Sequence, residues 1–332
     1  MNERILGKDL TVSAVSLGCM GMTHAFGAPS DVKEMTRLIH EAVDFGYLMF
    51  DTAECYTGVF ADGTTAYNEE LVGAALAPYR NKVVIATKFG VRHSPGGLLM
   101  DSNPETIRRS VEGSLRRLGT DHIDLYYQHR IDPKVEPEEV AGVMADLIRE
   151  GKIRYWGISE TTDEYLRRAH AVCPVTAIQN RYSMMYRDYD VMFPTLEESN
   201  IGYVAFSPLA NGVLSDRYGK DSRFEAGTDY RSFMPQFKPE AYDENAALFA
   251  YIRELASDKN ATPAQISLAW MINKHRNLVP IPGTRKSDRL KENGMAGDIL
   301  LSEAEVSAID KKLDTIGMST VFGGSRAAKN EK

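Results

Sequence analysis

Short apolar runs alternate along this chain with longer stretches whose apolar positions recur every three or four residues. The runs fall at 12–18, 47–53, 83–88, 123–129, 153–159, 175–181, 201–207 and 278–282. Several are apolar without interruption, as in Val83-Val84-Ile85-Ala86. A strand with one wet face alternates polar and apolar residues. A strand covered on both faces does not, and parallel sheets are covered on both faces.

The intervening stretches carry helix signals. Asp31 and Glu34 have the spacing of a capping box, Met35, Leu38, Ile39, Ala42 and Val43 mark one face, and Gly46 closes the segment. Pro104 sits just inside a second start, followed by Ile107, Val111, Leu115 and Leu118, with Gly119 as the stop. Pro137 opens a third with Val140, Val143, Met144, Leu147 and Ile148, ending at Gly151. Strand–helix alternation predicts right-handed crossovers and a parallel sheet. Eight strands, with no Gly-x-Gly-x-x-Gly turn after any of them, favour a closed barrel over an open doubly wound sheet. The expectation is an α/β fold: a single (β/α)8 TIM barrel domain over residues 1–332. Two segments depart from the eightfold pattern. Residues 3–12 read as an N-terminal β-hairpin around Gly7-Lys8-Asp9, placed to plug one end of the barrel. Residues 208–240, after the seventh strand, read as a long polar loop, and connections of that length usually serve function.

Composition narrows the class. The chain has 332 residues, 43% of them apolar, so it folds. Its net charge of −7 with no basic block argues against nucleic acid and anionic membrane as partners. Cys19, Cys55 and Cys173 make an odd, irregular set, which argues for a reducing compartment. A Cys19–Cys55 redox pair is a weaker reading than ordinary thiols. No apolar run reaches the roughly 18 residues of a membrane span, and the first residues lack a signal core, so the cytoplasm is expected. No histidine spacing suggests a metal site.

Barrel chemistry collects at the C-terminal ends of the strands. The second strand ends in Asp51-Thr52-Ala53 with Tyr56 beyond, the third in Thr87-Lys88, and the fourth in Tyr127-Gln128-His129. Each has an ordinary explanation alone: a turn cap, a loop aromatic, a snorkelling lysine, a core histidine. Together an acid, a phenol, an ammonium and an imidazole meet at one mouth. A phenol titrates near pH 10, and an adjacent ammonium stabilises its anion, so the expected effect of Lys88 on Tyr56 is a lowered pKa. Asp51 would hold Lys88 charged, and a neutral His129 would orient a substrate oxygen. Such a set protonates an oxyanion forming on a carbonyl but supplies no electrons, which implies a reducing cofactor. After the eighth strand, Arg285, Lys286 and Arg289 surround a helix start that Ser287 or Asp288 would cap, an arrangement suited to phosphate.

At these positions the chain resembles the aldo-keto reductase family. The match runs through Gly18-Cys19-Met20-Gly21, Asp51-Thr52-Ala53-x-x-Tyr56, Thr87-Lys88, Tyr127-Gln128-His129-Arg130, Gly157-Ile158-Ser159, Ile178-Gln179-Asn180, Ser207-Pro208-Leu209 and Ile281-Pro282-Gly283-Thr284-Arg285. The Tyr-Gln-His-Arg and Pro-Gly-Thr-Arg forms are similar to the bacterial and plant branch. The resemblance implies a catalytic tetrad of Asp51, Tyr56, Lys88 and His129, and NADPH/NADP+ extended across the mouth. Ser159 and Gln179 would then hold the carboxamide and Phe206 would stack on the nicotinamide. Ser207, Leu209 and Gly212 would line the pyrophosphate, beside the turn at Gly283 and Thr284. Arg285, Lys286 and Arg289 would meet the 2′-phosphate, and Glu292 and Asn293 the adenine. Glu160 stands where the family often has Asn, and Met20 where it often has an aromatic. The implied activity is NADPH-dependent reduction of aldehydes or ketones, the partner being a small-molecule carbonyl substrate. Two alternatives use the same residues: a Schiff-base aldolase acting through Lys88, and a cofactor-binding regulatory subunit of the potassium-channel β type. Relatives of the latter kind tend to lose the histidine that this chain keeps at His129.

Overall fold

The computed structural model describes residues 1–322, so the expected domain end at residue 332 lies outside the described residues. Eight strands form one parallel sheet: β1 Leu17–Gly18, β2 Met49–Asp51, β3 Val84–Phe89, β4 Ile123–Gln128, β5 Ile153–Ser159, β6 Ala177–Arg181, β7 Gly202–Phe206 and β8 Leu278–Pro280. Each pairs with its sequence neighbour. The sheet closes on itself where the Ser16 amide donates to Pro280 O at 3.0 Å, the Gly18 amide donates to Pro282 O at 3.4 Å, and Gly18 bridges Gly283. Only glycine fits this seam: a Cβ on Gly18 would lie 2.7 Å from Ile281 O.

The helix starts and stops follow the sequence signals. The helix α1, Val32–Phe45, begins at Asp31, whose carboxylate accepts from the Glu34 amide, and stops at left-handed Gly46. Pro104–Leu118 begins at Asn103 and stops at left-handed Gly119, and Pro137–Arg149 is the third. Its expected core residue Ile148 is instead 36% exposed. The other barrel strands lie within two residues of the apolar runs at either end. The first run, 12–18, is divided. Its early part belongs to an antiparallel hairpin, Glu3–Leu6 with Leu10–Ser13, and only Leu17–Gly18 pairs in the barrel. Apolarity alone does not separate the two, because both stretches are buried.

The hairpin fills the barrel's N-terminal end. Its Leu6, Leu10 and Val12 pack with Met49, Ala86, Leu125, Tyr127, Ala177, Val204, Val279 and Ile281 in one enclosed cluster. Those strand residues are the inward rows, spaced by two along each strand. The outward rows pack under the helices in a second, larger cluster. Gly157 has its place in the inward layer because Tyr127 occupies the space: a Cβ there would fall 2.4 Å from the Tyr127 ring. Among the described residues no helix is long and apolar enough to cross a membrane.

Three connections at the open end have structure that the alternation pattern did not predict. Thr57–Val59 pairs with Thr65–Tyr67, and Val91–Ser94 with Gly97–Met100, as two small hairpins. The stretch expected as one loop at 208–240 is a series of short 3-10 turns and the start of a helix. Arg231 organises it: the guanidinium grips Asp229 through two nitrogens, donates to Tyr218 OH at 2.7 Å and lies 4.5 Å over the Phe224 ring. The Tyr230 amide then donates to Ala25 O at 2.8 Å, stitching this segment to residues 20–29 across the mouth.

Candidate active site

The inward rows continue upward into the chemistry. Asp51 follows Met49 by two residues, Lys88 follows Ala86, His129 follows Tyr127, Ser159 follows Gly157, Gln179 follows Ala177, and Phe206 follows Val204. The period that packs the barrel therefore turns these side chains toward one open end. There they border a cavity of about 500 Å³. Every residue expected for catalysis or cofactor binding lines it except Lys88, which lies behind Asp51 and Tyr56 with its side chain fully buried.

Lys88 is the hub. Its ammonium donates to Asp51 Oδ1 at 2.5 Å, to Thr52 O at 2.7 Å and to Tyr56 Oη at 3.4 Å. Three protons meet three acceptors, so the buried cation is fully satisfied. Burial works against the charge of Lys88, yet Asp51 and Tyr56 hold its pKa above the ordinary value. The Asp51 carboxyl is itself pushed up by burial, opposed by Lys88 and by Gln179, whose amide nitrogen donates to Asp51 Oδ2 at 2.7 Å. Gln179 thus anchors the ion pair, a task its sequence context did not reveal. A Schiff-base lysine needs a free, neutral amine; Lys88 is the opposite.

Tyr56 departs from expectation. Burial pushes its pKa up to about 12, and Lys88 pulls the other way without overcoming it. The phenol is therefore a protonated donor at neutral pH rather than a partial phenolate. His129 is held well below its usual pKa by burial, and then by Arg130 and Lys88, so it is neutral as expected. Its Nδ1 lies 3.5 Å from Cys55 Sγ, and its ring meets Tyr56 edge to face at 5.7 Å. Cys19, Cys55 and Cys173 are free and buried, and burial raises the thiol pKa of Cys55 to about 12.

Behind the strand ends, the outward Thr52 and Thr87 explain why hydroxyls flank the acid and the lysine. Thr52 donates to Asn68 Oδ1 and Thr87 to Glu69 Oε1, each at 2.6 Å. Asn68 and Glu69 open the helix Asn68–Leu76, which fixes the ends of β2 and β3 to one support. Neither residue carries a sequence signal beyond its helix start.

The far end of the cavity carries the basic turn. Ser287–Met295 is a helix there, but neither Ser287 nor Asp288 caps it; Lys286 occupies the cap position without a side-chain bond, and Ser287 bonds Glu41 on α1 instead. Arg285 is only partly as expected. Its Nε and Nη1 donate to Gly21 O and Ala28 O, so it clamps residues 20–29. Its Nη2 is buried with no partner among the described residues. Burial, then Arg231, lowers its pKa, so the site favours an anion. Glu292 accepts from Arg217 at 3.3 Å through Oε2, while its Oε1 is buried and unpartnered. Arg289 lies 3.4 Å from Tyr218 OH, Lys286 is exposed, and Asn293 is buried. Between the two ends, Ser207, Ala210, Asn211 and Gly212 all adopt positive φ, bending the backbone around the cavity wall. Leu209 lies half-buried in this bend. At Gly283 and Thr284 the turn after β8 completes the opposite wall, with Thr284 Oγ1 accepting from the Lys286 amide at 3.0 Å.

Several wall residues carried no sequence signal. His24, His93 and Tyr230 form the outer rim, with the His24 and His93 rings 4.8 Å apart and His24 stacked 6.0 Å from Tyr56. They come from separate loops, which periodicity does not connect. Arg130 stood in plain view in the Tyr-Gln-His-Arg motif but had no role until the fold set it beside Ser159. Glu160, conversely, turns away: its carboxylate accepts from the Arg181 amide and from Tyr189 OH, each at 3.4 Å. Among the described residues no group of three or more His, Cys, Asp and Glu is gathered as a metal site.

A closed parallel barrel with this polar constellation at its mouth defines an aldo-keto reductase type of site. The Aldo/keto reductase family model matches residues 15–314, and the chain belongs to that family. It is 38% identical over 317 residues to "Probable aldo-keto reductase 1" of Glycine max, covering 94% of this chain and 88% of that one. Among solved structures it is similar to a glycerol dehydrogenase from Gluconobacter oxydans, with a TM-score of 0.82, 28% identity and 98% of both chains covered. It is also similar to an aldo/keto reductase from Klebsiella pneumoniae in complex with NADP and acetate, with a TM-score of 0.70 and 26% identity, covering 94% and 96% of the two chains. The fold expectation, an α/β barrel of this family, is borne out.

Proposed function

We propose that this protein is a cytoplasmic, single-domain NADPH-dependent reductase of aldehyde or ketone carbonyls, with Tyr56 as the proton donor. The observation that carries the reading is the buried chain Gln179–Asp51–Lys88–Tyr56, which ends on a protonated hydroxyl facing the cavity. The residues at the far end suit the cofactor. The orphaned Arg285 Nη2 wants an acceptor, as a 2′-phosphate oxygen is, and the orphaned Glu292 Oε1 wants an N–H, as the adenine amino group offers. When bound, NADPH supplies the hydride.

The protein's part is binding, orientation and proton delivery. Ser159, Gln179 and Phe206 would hold the nicotinamide end, and Ser207, Leu209, Gly212, Gly283 and Thr284 the pyrophosphate. Arg285, Lys286 and Arg289 would hold the 2′-phosphate, and Glu292 and Asn293 the adenine. His129, being neutral, donates one N–H toward the carbonyl oxygen and orients it against Tyr56. As negative charge grows on that oxygen, Tyr56 gives up its proton. Lys88, already fixed by Asp51, stabilises the phenolate left behind without reorganising. The test is Tyr56→Phe. Turnover of a carbonyl panel with NADPH should fall at least about 10²-fold, with NADPH affinity little changed. Near-normal turnover would remove Tyr56 from the reaction.

A further inference from the structure

The nicotinamide end has a cation that the reading above leaves without a task. Arg130 follows His129 directly and lines the cavity beside Ser159 and Phe206. Its Nη1 donates to His129 O at 2.6 Å and to Ser159 Oγ at 3.2 Å, and its guanidinium carbon lies 6.0 Å from the Phe206 ring centre. These bonds hold the head group in place through one nitrogen. Its Nε and Nη2 make no bond among the described residues. The neighbouring position, Glu160, offers the cavity nothing: its carboxylate engages the Arg181 amide and Tyr189 OH, and a carboxylate has no proton to donate.

A carboxamide presents a carbonyl oxygen and an NH2. The oxygen needs a donor, and Arg130 is the cation adjoining the two side chains that would flank the ring. We propose that Arg130 binds the nicotinamide carboxamide, its guanidinium donating to the carbonyl oxygen, in place of any contact from position 160. This rests on reading the cavity as a nicotinamide dinucleotide site. A charged donor suits the task because the contact fixes which way round the ring lies on Phe206. The same cation, fixed by His129 O and Ser159 Oγ, also keeps His129 neutral from one side.

The experiment is equilibrium binding, followed by tryptophan fluorescence and calorimetry, on the wild-type chain, Arg130→Met and Glu160→Gln. Three probes are compared: NADPH, its acetylpyridine analogue, and adenosine 2′,5′-bisphosphate. The analogue keeps the ring carbonyl and lacks the NH2; the bisphosphate lacks the nicotinamide altogether. Arg130→Met should weaken NADPH and the analogue alike, by about 10- to 100-fold, the range for losing a charged hydrogen bond. The bisphosphate should bind as to wild type, which also shows that the variant is folded. Glu160→Gln should leave all three unchanged. Unchanged NADPH affinity in Arg130→Met would overturn the proposal, as would equal weakening of NADPH and the bisphosphate. So would weakening of NADPH without the analogue, or loss of NADPH affinity in Glu160→Gln alone. If the wild-type chain bound neither NADPH nor the bisphosphate, the cofactor reading itself would fall, a result distinct from any variant-specific one.

Discussion

Replacing Lys88 by Met tests the hub of the site through stability as well as activity. The methionine fills similar volume but removes the cation that Asp51, Thr52 O and Tyr56 share. Asp51, 3% exposed, is left with the Gln179 amide as its one remaining donor among the described residues. Breaking a buried pair by removing one partner destabilises by about 3–5 kcal/mol, because the other charge stays buried. At about 2 °C per kcal/mol for a chain of this size, the melting point should drop by roughly 6–10 °C. The deficit has a pH signature. Burial already raises the Asp51 carboxyl above its unfolded value, and losing Lys88 raises it further. A carboxyl whose folded pKa is raised carries its penalty in full above that pKa. The penalty is lost as pH falls toward the unfolded value near 4. The gap between variant and wild type should therefore narrow as the pH is lowered from 8 to 5. The double variant Lys88→Met, Asp51→Asn should recover most of the loss at pH 8, since a neutral amide oxygen still accepts from Gln179. Urea denaturation is a suitable assay, because Trp156 and Trp270 are fully buried reporters. A deficit that is independent of pH and unaffected by Asp51→Asn would show that Lys88 contributes packing only, and the ion-pair account would fail.

Other outcomes follow from the same geometry. With Tyr56 near 12, carbonyl reduction should lose nothing to phenol ionisation between pH 6 and 9, while alcohol oxidation, which needs the phenolate, should rise about tenfold per pH unit; an alkaline limb on reduction below pH 9 would contradict this. Arg289→Ala should weaken NADPH about ten- to a hundredfold and leave NADH nearly unmoved, as titration of both will show; equal weakening would make the basic turn a mere surface. Limited proteolysis in residues 219–228, largely exposed between the Arg231 partners Tyr218 and Asp229, should be slowed by NADPH, and identical cleavage with and without it would count against a closing segment.

The sequence was most informative where burial is two-sided. Interior strands have to be apolar throughout, so the eight runs stand out, and the two-residue period carries their inward rows up to Asp51, Lys88, His129 and Gln179. It was least informative where a residue's role depends on a partner distant in the chain. Arg285 reads as a phosphate ligand alone until two of its nitrogens are seen to clamp Gly21 and Ala28, which leaves Nη2 as the one for an anion. Tyr56 reads as acidified by Lys88, and Lys88 does pull its pKa down, but the removal of the phenol from water outweighs that pull. Ser287 reads as a helix cap until Glu41, on another helix, claims its hydroxyl. The rim of His24, His93 and Tyr230 gave no signal, because no local pattern links three loops.

The hairpin Val91–Met100 satisfies its backbone within itself, in four register pairs, and rejoins the fold where the Asp101 amide meets Gly90 O at 3.0 Å. It brings Val91, His93 and Leu98 to the cavity wall and none of the groups in the Asp51–Lys88–Tyr56 chain. The hairpin is thus a local unit resting on the reacting end: its exposed positions can vary without touching the ion pair, whereas Val91 and Leu98 pack on Ala53, Cys55 and Tyr56 and would have to stay apolar. Protein engineers seeking a new preference would do well to start their libraries at those exposed positions and leave the strand ends alone.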